Sequence, residues 1–272
     1  METTNQKALL YDNTLCMGCR GCQVACKQWN NLKAEETTFF GGPGYQNPKN
    51  LSGHTFTLIK YHEVVENDSM KNWVFWKSQC QHCIEPACIG SCLVGALHKE
   101  ESGAVAWNAS KCIGCRYCMM SCAFDIPKYN WDSINPEIRK CNLCFDRIKE
   151  GLSPSCAKTC PTGAILFGNR EELILTAEKR LAANPEKYYQ HIYGKEEVGG
   201  TAVLSISRIA LEDIGYPKNL TTSVIGSRTA PTLKAIPMVV VGLGAVLGIT
   251  ALIADRKNKV AESKKDKGGK NE

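Results

Sequence analysis

The chain's 272 residues are enough for one or two modest domains, and its formal net charge of +6 raises the question of an acidic partner such as nucleic acid. Sixteen cysteines change that sum. As thiolates around inorganic cores they leave the chain slightly negative, and much of the remaining positive charge lies in one tail, 256–270, which argues against nucleic acid.

Residues 1–14 hold no basic n-region, no apolar h-region and no twin arginine, so no export signal is expected there. Cys16, Cys19, Cys22 and Cys26 follow with the C-x₂-C-x₂-C-x₃-C spacing that bacterial ferredoxins use for [4Fe–4S] clusters. The 53 residues before Cys80 open with a Gly-, Asn- and Pro-rich stretch, 30–53, which reads as an irregular loop with a partner-contact role. The β-branched and aromatic runs 54–65 and 73–76 predict strands. Cys80, Cys83, Cys88 and Cys92 stretch one gap to four residues, and GAVAW at 103–107 predicts a short strand leading to Cys112, Cys115, Cys118 and Cys122, where the first spacing returns. Cys141, Cys144, Cys156 and Cys160 open a gap of eleven, and of the four groups only the last ends before a proline, Pro161. That proline helps start the following segment and limits solvent near the group, so its absence elsewhere bears on potential and removes no ligand.

A short loop with three-residue steps presents three sulfurs to one cubane, and the cysteine four residues on lies about one helical turn away, roughly 6 Å along the axis. It therefore points toward a neighbouring cluster, as in two-cluster ferredoxins. Structural zinc uses well-separated C-x₂-C pairs and gives a third cysteine at the next step no role. Four tight groups are also poor disulfide geometry. All sixteen cysteines are then used by four cubanes. CLVGAL at 92–97 matches CPTGAI at 160–165 at four positions when Leu and Ile are equated, an internal repeat. The second and third groups therefore read as one two-cluster module inserted into a second, split one, an α+β fold in which inorganic cores substitute for apolar mass. The expected domains are 1–79 with 123–200 (outer, split), 80–122 (inner), 201–234 (connection), 235–254 (membrane helix) and 255–272 (basic tail). Residues 171–193 predict a helix and 199–231 a polar connecting segment.

Residues 235–254 run twenty positions without a charge, enough to cross a bilayer core, and Gly244 and Gly248 make a G-x-x-x-G step suited to close helix packing. Arg256, Lys257, Lys259, Lys264, Lys265, Lys267 and Lys270 follow, against Lys218, Arg228 and Lys234 before. The positive-inside rule places the tail in the cytoplasm and the cysteine-rich body on the outer, periplasmic side. His82 lies within a cysteine loop already supplied with four thiols, so it is not expected as a ligand. No nucleophile–base pair, P-loop or dinucleotide fingerprint is present, and the chain reads as a conductor rather than a catalyst.

LCMGCRGCQVACKQWN at 15–30, with AEET at 34–37 and Asn47–Pro48, resembles the iron–sulfur (β) subunit of respiratory formate dehydrogenases. KCIGCRYCMMSC at 111–122, FDIP at 124–127, AKTCPTGA at 157–164, VGGT at 198–201 and the terminal apolar segment fit the wider family of four-cluster subunits of molybdopterin oxidoreductases and nickel–iron hydrogenases. The resemblance implies four ligand sets. Cys16, Cys19, Cys22 and Cys160 would hold cluster 1; Cys26, Cys141, Cys144 and Cys156 cluster 2; Cys92, Cys112, Cys115 and Cys118 cluster 3; Cys80, Cys83, Cys88 and Cys122 cluster 4. Some relatives replace a cysteine of the third group and carry a [3Fe–4S] cluster; Cys115 is present here, so four [4Fe–4S] clusters are expected. It further implies electron transfer in anaerobic respiration, from a molybdenum or tungsten catalytic subunit to a membrane cytochrome b or quinone-reducing subunit, with 26–29, 34–37 and 47–48 as docking segments. The equivalent subunit of a periplasmic hydrogenase is the alternative.

Overall fold

A computed structural model describes residues 6–38, 45–66, 69–131, 137–222 and 225–268. The glycine-rich run 41–44 of the expected loop lies outside them. In chain order the elements are β1 (Lys7–Asp12), α1 (Gly21–Trp29), β2 (Thr57–Glu66), β3 (Ser69–Gln79), α2 (Ala87–Gly90), β4 (Leu97–Lys99), β5 (Val105–Trp107), α3 (Tyr117–Met120), β6 (Lys128–Tyr129), β7 (Ile138–Arg139), α4 (Phe145–Lys149), α5 (Ser155–Thr159), β8 (Ile165–Asn169), α6 (Arg170–Ala183), β9 (Val203–Ile206) and α7 (Ile225–Gly268).

The three-stranded sheet has the order β8-β1-β9, with β1 antiparallel to β8 and parallel to β9. A central strand is covered on both faces, so β1 (KALLYD) is almost wholly apolar rather than alternating. Its period of two sends Leu9 and Tyr11 into a core shared with Cys22 and Cys156. Ala8 and Leu10 enter a second core with Leu173, Ile174, Ala177 and Leu181 of α6. One strand thus fixes α6 on one side and the first and fourth cysteine groups on the other.

The expected strands 54–65 and 73–76 correspond to β2 and β3, a longer antiparallel hairpin in which Thr57 faces Gln79 and Ile59 faces Lys77. The expected strand at 103–107 is β5, paired with β4. The helix expected over 171–193 stops at Ala183, because Pro185 bars helical conformation at Asn184 and the chain turns there. The segment 199–231 is not only a connection: Val203–Ile206 is a fully buried strand that completes the central sheet.

Met1–Arg228 forms one compact unit and Thr229–Glu272 another. The second holds most of α7, within which Ala235–Ala261 contains an 18-residue window with a mean hydropathy of 2.4 and is long enough to cross a membrane.

Candidate metal centres

The cysteine loops repeat one backbone design. Gly18 and Arg20 both take positive φ (69° and 60°) just before α1, and Gly114 and Arg116 do the same (68° and 63°) just before α3. These left-handed turns reverse the chain between successive cysteines. In the first loop the helix that follows carries two of them one turn apart: Cys22 and Cys26 sit at i and i+4 of α1, both buried. Tyr61 donates to the Gly18 carbonyl at 2.5 Å beneath the Arg20 guanidinium, which lies 4.8 Å from its ring. Tyr129 donates to the Gly114 carbonyl at 3.3 Å beneath Arg116, 4.7 Å from its ring. The other two groups share a second design. Pro86 opens α2 and Pro154 opens α5. After each comes a turn at Gly95 or Gly163 (φ 63° and 65°), a buried Ala96 or Ala164, and a strand. The CxxGA repeat of the sequence is therefore a repeat of structure.

None of the sixteen cysteines is paired in a disulfide. Burial raises the Cys118 thiol to about 11, and the charges of Cys115, Cys92 and Cys112 raise it next. Burial raises Cys22 to about 12; Lys77 opposes this, while Cys156, Cys16 and Cys19 reinforce it. Cys26 is raised by burial and then by Cys141, with Cys156 and Cys144 adding to it. Cys88 is pushed to about 12 by burial and then by Cys80, with further contributions from Cys122 and Cys118. Cys141 is pushed to about 12 by burial, and it feels both Cys144 and Cys80. Thiols crowded in this way resist ionising together unless a cation gathers them, which is the donor chemistry a [4Fe–4S] cluster requires. One recess is lined by Cys26, Cys141, Cys144 and Cys156, and another by Cys83, Cys88 and Cys122. The residues fit the group.

The groups also pack next to one another: Cys22 and Cys156 share one buried cluster, Cys80 and Cys141 another, and Cys88 and Cys118 a third. Cys19 and Cys115 are exposed, while Cys26, Cys141, Cys144 and Cys156 are all buried. Apolar side chains stand open beside each exposed thiol: Met17 (60% exposed) and Val24 (64%) near Cys19 in sequence, Ile113 (64%) and Met120 (83%) near Cys115.

Two side chains with no distinguishing motif in the sequence belong to this region. Lys77 is 2% exposed, and its Nζ donates to Thr57 Oγ1 at 2.6 Å and to Gln79 Oε1. Burial works against its charge, but Cys156, Cys22, Cys141 and Cys26 outweigh that and hold its pKa above the ordinary lysine value. Lys140 is also buried, donating to the carbonyls of Val105 at 2.5 Å and Cys141 at 3.0 Å. His82 accepts the Val105 N–H at Nδ1, and burial, then Lys140, lowers its pKa well below the usual value, so it stays neutral.

The expected docking loop is tied to the first cysteine run. Lys27 Nζ donates to Glu35 Oε2 at 3.1 Å and to the His54 carbonyl at 2.6 Å, Arg20 reaches the Tyr45 carbonyl, and Tyr45 stacks on Trp73 with centroids 4.9 Å apart.

A family model described as a 4Fe-4S dicluster domain matches residues 71–170. The chain is 34% identical to the formate dehydrogenase iron-sulfur subunit of Haemophilus influenzae, over 97% of this chain and 89% of that one. It is 39% identical to the nitrate-inducible formate dehydrogenase iron-sulfur subunit of Escherichia coli K12, over 73% and 67%. It is 34% identical to the hydrogenase-2 operon protein HybA of Escherichia coli O157:H7, over 90% and 83%.

Proposed function

The chain belongs to the family of formate dehydrogenase iron–sulfur subunits and is also similar to HybA, and we propose that it relays electrons from a formate-oxidising molybdenum or tungsten subunit to a membrane cytochrome b or quinone-reducing subunit. It is an electron-transfer subunit that carries [4Fe–4S] clusters. In this reading there are four, held as cluster 1 by Cys16, Cys19, Cys22 and Cys160; cluster 2 by Cys26, Cys141, Cys144 and Cys156; cluster 3 by Cys92, Cys112, Cys115 and Cys118; and cluster 4 by Cys80, Cys83, Cys88 and Cys122. Bound there, they supply a series of one-electron carriers.

The observation that supports the proposal is the packing of Cys22 with Cys156, of Cys141 with Cys80 and of Cys88 with Cys118, with Cys19 and Cys115 exposed and Cys26, Cys141, Cys144 and Cys156 buried; with the ligand sets proposed here it gives the order 1–2–4–3. The chain's own residues hold the sets in line, keep water from the middle and open it at Cys19 and Cys115. The apolar surface at Met17 and Val24 would receive the catalytic subunit, and that at Ile113 and Met120 the membrane subunit. The 80–122 segment forms the inner module and 1–79 with 123–200 the outer. The internal repeat supports this, with the outer module extended through β9. The similarity to HybA favours a second reading, the same relay fed by a hydrogenase.

The test is reduction of the intact complex. About 16 iron and 16 acid-labile sulfides per chain are expected, with all clusters reduced by formate and not by hydrogen. Half the iron overturns the four-cluster reading, and reduction by hydrogen alone hands the function to the alternative.

A further inference from the structure

Lys77 and Gln79 occupy alternate positions of β3 and so share one face of the hairpin. Both side chains line the recess bounded by Cys26, Cys141, Cys144 and Cys156. The two side chains are coupled: Gln79 Oε1 accepts from the Lys77 ammonium, whose second proton goes to Thr57 Oγ1, directly across the hairpin from Gln79. An ammonium has three protons, so one Lys77 N–H is left over. The Gln79 amide is left over too. It is 1% exposed, and its Nε2 has no hydrogen-bond partner among the described residues. Buried donors rarely go without an acceptor, and two of them lining one cysteine-walled cavity point to an acceptor inside it.

Other donors surround the same four thiols. Asn30 Nδ2 stands 3.6 Å from Cys26 Sγ, the Leu143 N–H 3.4 Å from Cys141 Sγ, and Ser155 Oγ 3.5 Å from Cys144 Sγ. Around Cys92, Cys112, Cys115 and Cys118 the described residues supply the Ala96 N–H to Cys92 Sγ at 3.2 Å, and no buried ammonium donates there. Hydrogen bonds to cluster sulfurs and nearby positive charge favour the reduced, more negative state and raise the potential.

We propose that the Lys77–Gln79 pair, clamped by Thr57, is an electrostatic tuning device that donates to the cluster held by Cys26, Cys141, Cys144 and Cys156 and raises its reduction potential. This rests on the ligand assignment above, so the experiment tests the two separately. In the intact complex, Cys26→Ser and Cys144→Ser should alter the same EPR signal, which identifies the cluster. If they alter different signals, the ligand assignment fails and the tuning device falls with it. Redox titration followed by EPR is then run on Lys77→Met, with iron content measured alongside. The reduction equilibrium of the identified cluster should fall at least tenfold, a negative shift of 59 mV for one electron. The signal that Cys115→Ser alters should keep its midpoint. Gln79→Leu keeps the ammonium and removes the unpartnered amide; it should lower the same midpoint by about threefold in equilibrium, the scale of one neutral hydrogen bond. Should Lys77→Met fail to bind iron, Gln79→Leu alone decides. An unmoved midpoint in an iron-replete variant, with the signal correctly identified, overturns the tuning device and leaves the ligand assignment standing.

Discussion

Glu35 accepts hydrogen bonds from Ser52 Oγ at 2.5 Å, from Thr55 Oγ1 and from Lys27 Nζ at 3.1 Å, so one carboxylate joins helix α1 to both ends of the long insertion. Burial alone would raise its pKa; the hydrogen bonds from Ser52, Thr55 and Lys27 outweigh burial and hold it below the ordinary 4.5. A depressed carboxylate contributes stability that is present above its unfolded pKa and disappears as pH falls through the folded one. The insertion should therefore stay closed at neutral pH and loosen only below about pH 4.5. Limited proteolysis between residues 30 and 56 reads this directly. Glu35→Gln should show at pH 7 the cleavage that the native chain shows only in acid, and equal resistance of the two would refute the anchor. The AEET motif at 34–37 was legible as a feature of the family, but the direction in which Glu35 turns was not. Its partners lie 17 and 20 residues further on and share no periodicity with it. Lys77 was hidden for a similar reason. It falls just past the expected strand 73–76, and only the approach of Cys141 and Cys156 from the far end of the chain marks it as a buried cation.

At the scale of elements, the chain repeats itself more closely than its cysteine spacing suggests. Helices α1 and α3 start from the same pair of left-handed residues and are clamped by the same tyrosine and arginine arrangement. Helices α2 and α5 start from proline and lead through a left-handed glycine into β4 and β8. The two glycine types differ in what surrounds them. A Cβ on Gly114 would lie 2.5 Å from the Tyr129 hydroxyl, whereas one on Gly95 would meet nothing within 4 Å. Gly95→Ala should cost only the strain of positive φ, about 1 kcal/mol. Gly114→Ala adds displacement of the tyrosine clamp and should cost about 2 kcal/mol or more. It should lower Tm further than Gly95→Ala and perturb the EPR signal dependent on Cys115. Equal Tm shifts with unperturbed spectra would show that the clamp carries nothing. The hairpin β2–β3 was legible because its β-branched and aromatic residues have no other use. Strands β1 and β9 were not, because a strand covered on both faces loses the alternation that identifies it. Helix α6 was placed but overextended, since the stop at Pro185 competes with a helix-forming sequence on both sides.

For the whole molecule, [4Fe–4S] chemistry was legible from the cysteine spacing alone, because cubane geometry leaves few alternatives. The proposed order 1–2–4–3 was not, since it depends on how the middle of the chain folds back between the first and last groups. The membrane arrangement rests on a different kind of information, the asymmetry of charge about one apolar helix. Within Ala235–Ala261 the uncharged stretch ends at Asp255, and Arg256, Lys257, Lys259, Lys264, Lys265, Lys267 and Lys270 follow; Lys218, Arg228 and Lys234 precede it. Lysine and arginine counted within about 20 residues of a span bias orientation toward a cytoplasmic basic end. The same bias works against moving the tail across an energised membrane, where each elementary charge costs about 2.3 kcal/mol per 100 mV against the potential. The residues after the span should accordingly lie in the cytoplasm and the cysteine-bearing unit on the opposite side. A reporter fused after Glu272 should be active when it is one that works only in the cytoplasm, and silent when it is one that works only outside. Replacing Arg256, Lys257, Lys259, Lys264, Lys265, Lys267 and Lys270 by glutamine should weaken that preference and leave the iron content of the body unchanged. Activity of the outside reporter on the native sequence would invert the arrangement. Electrons would then be received on the cytoplasmic face, and the donor subunit would have to be sought there.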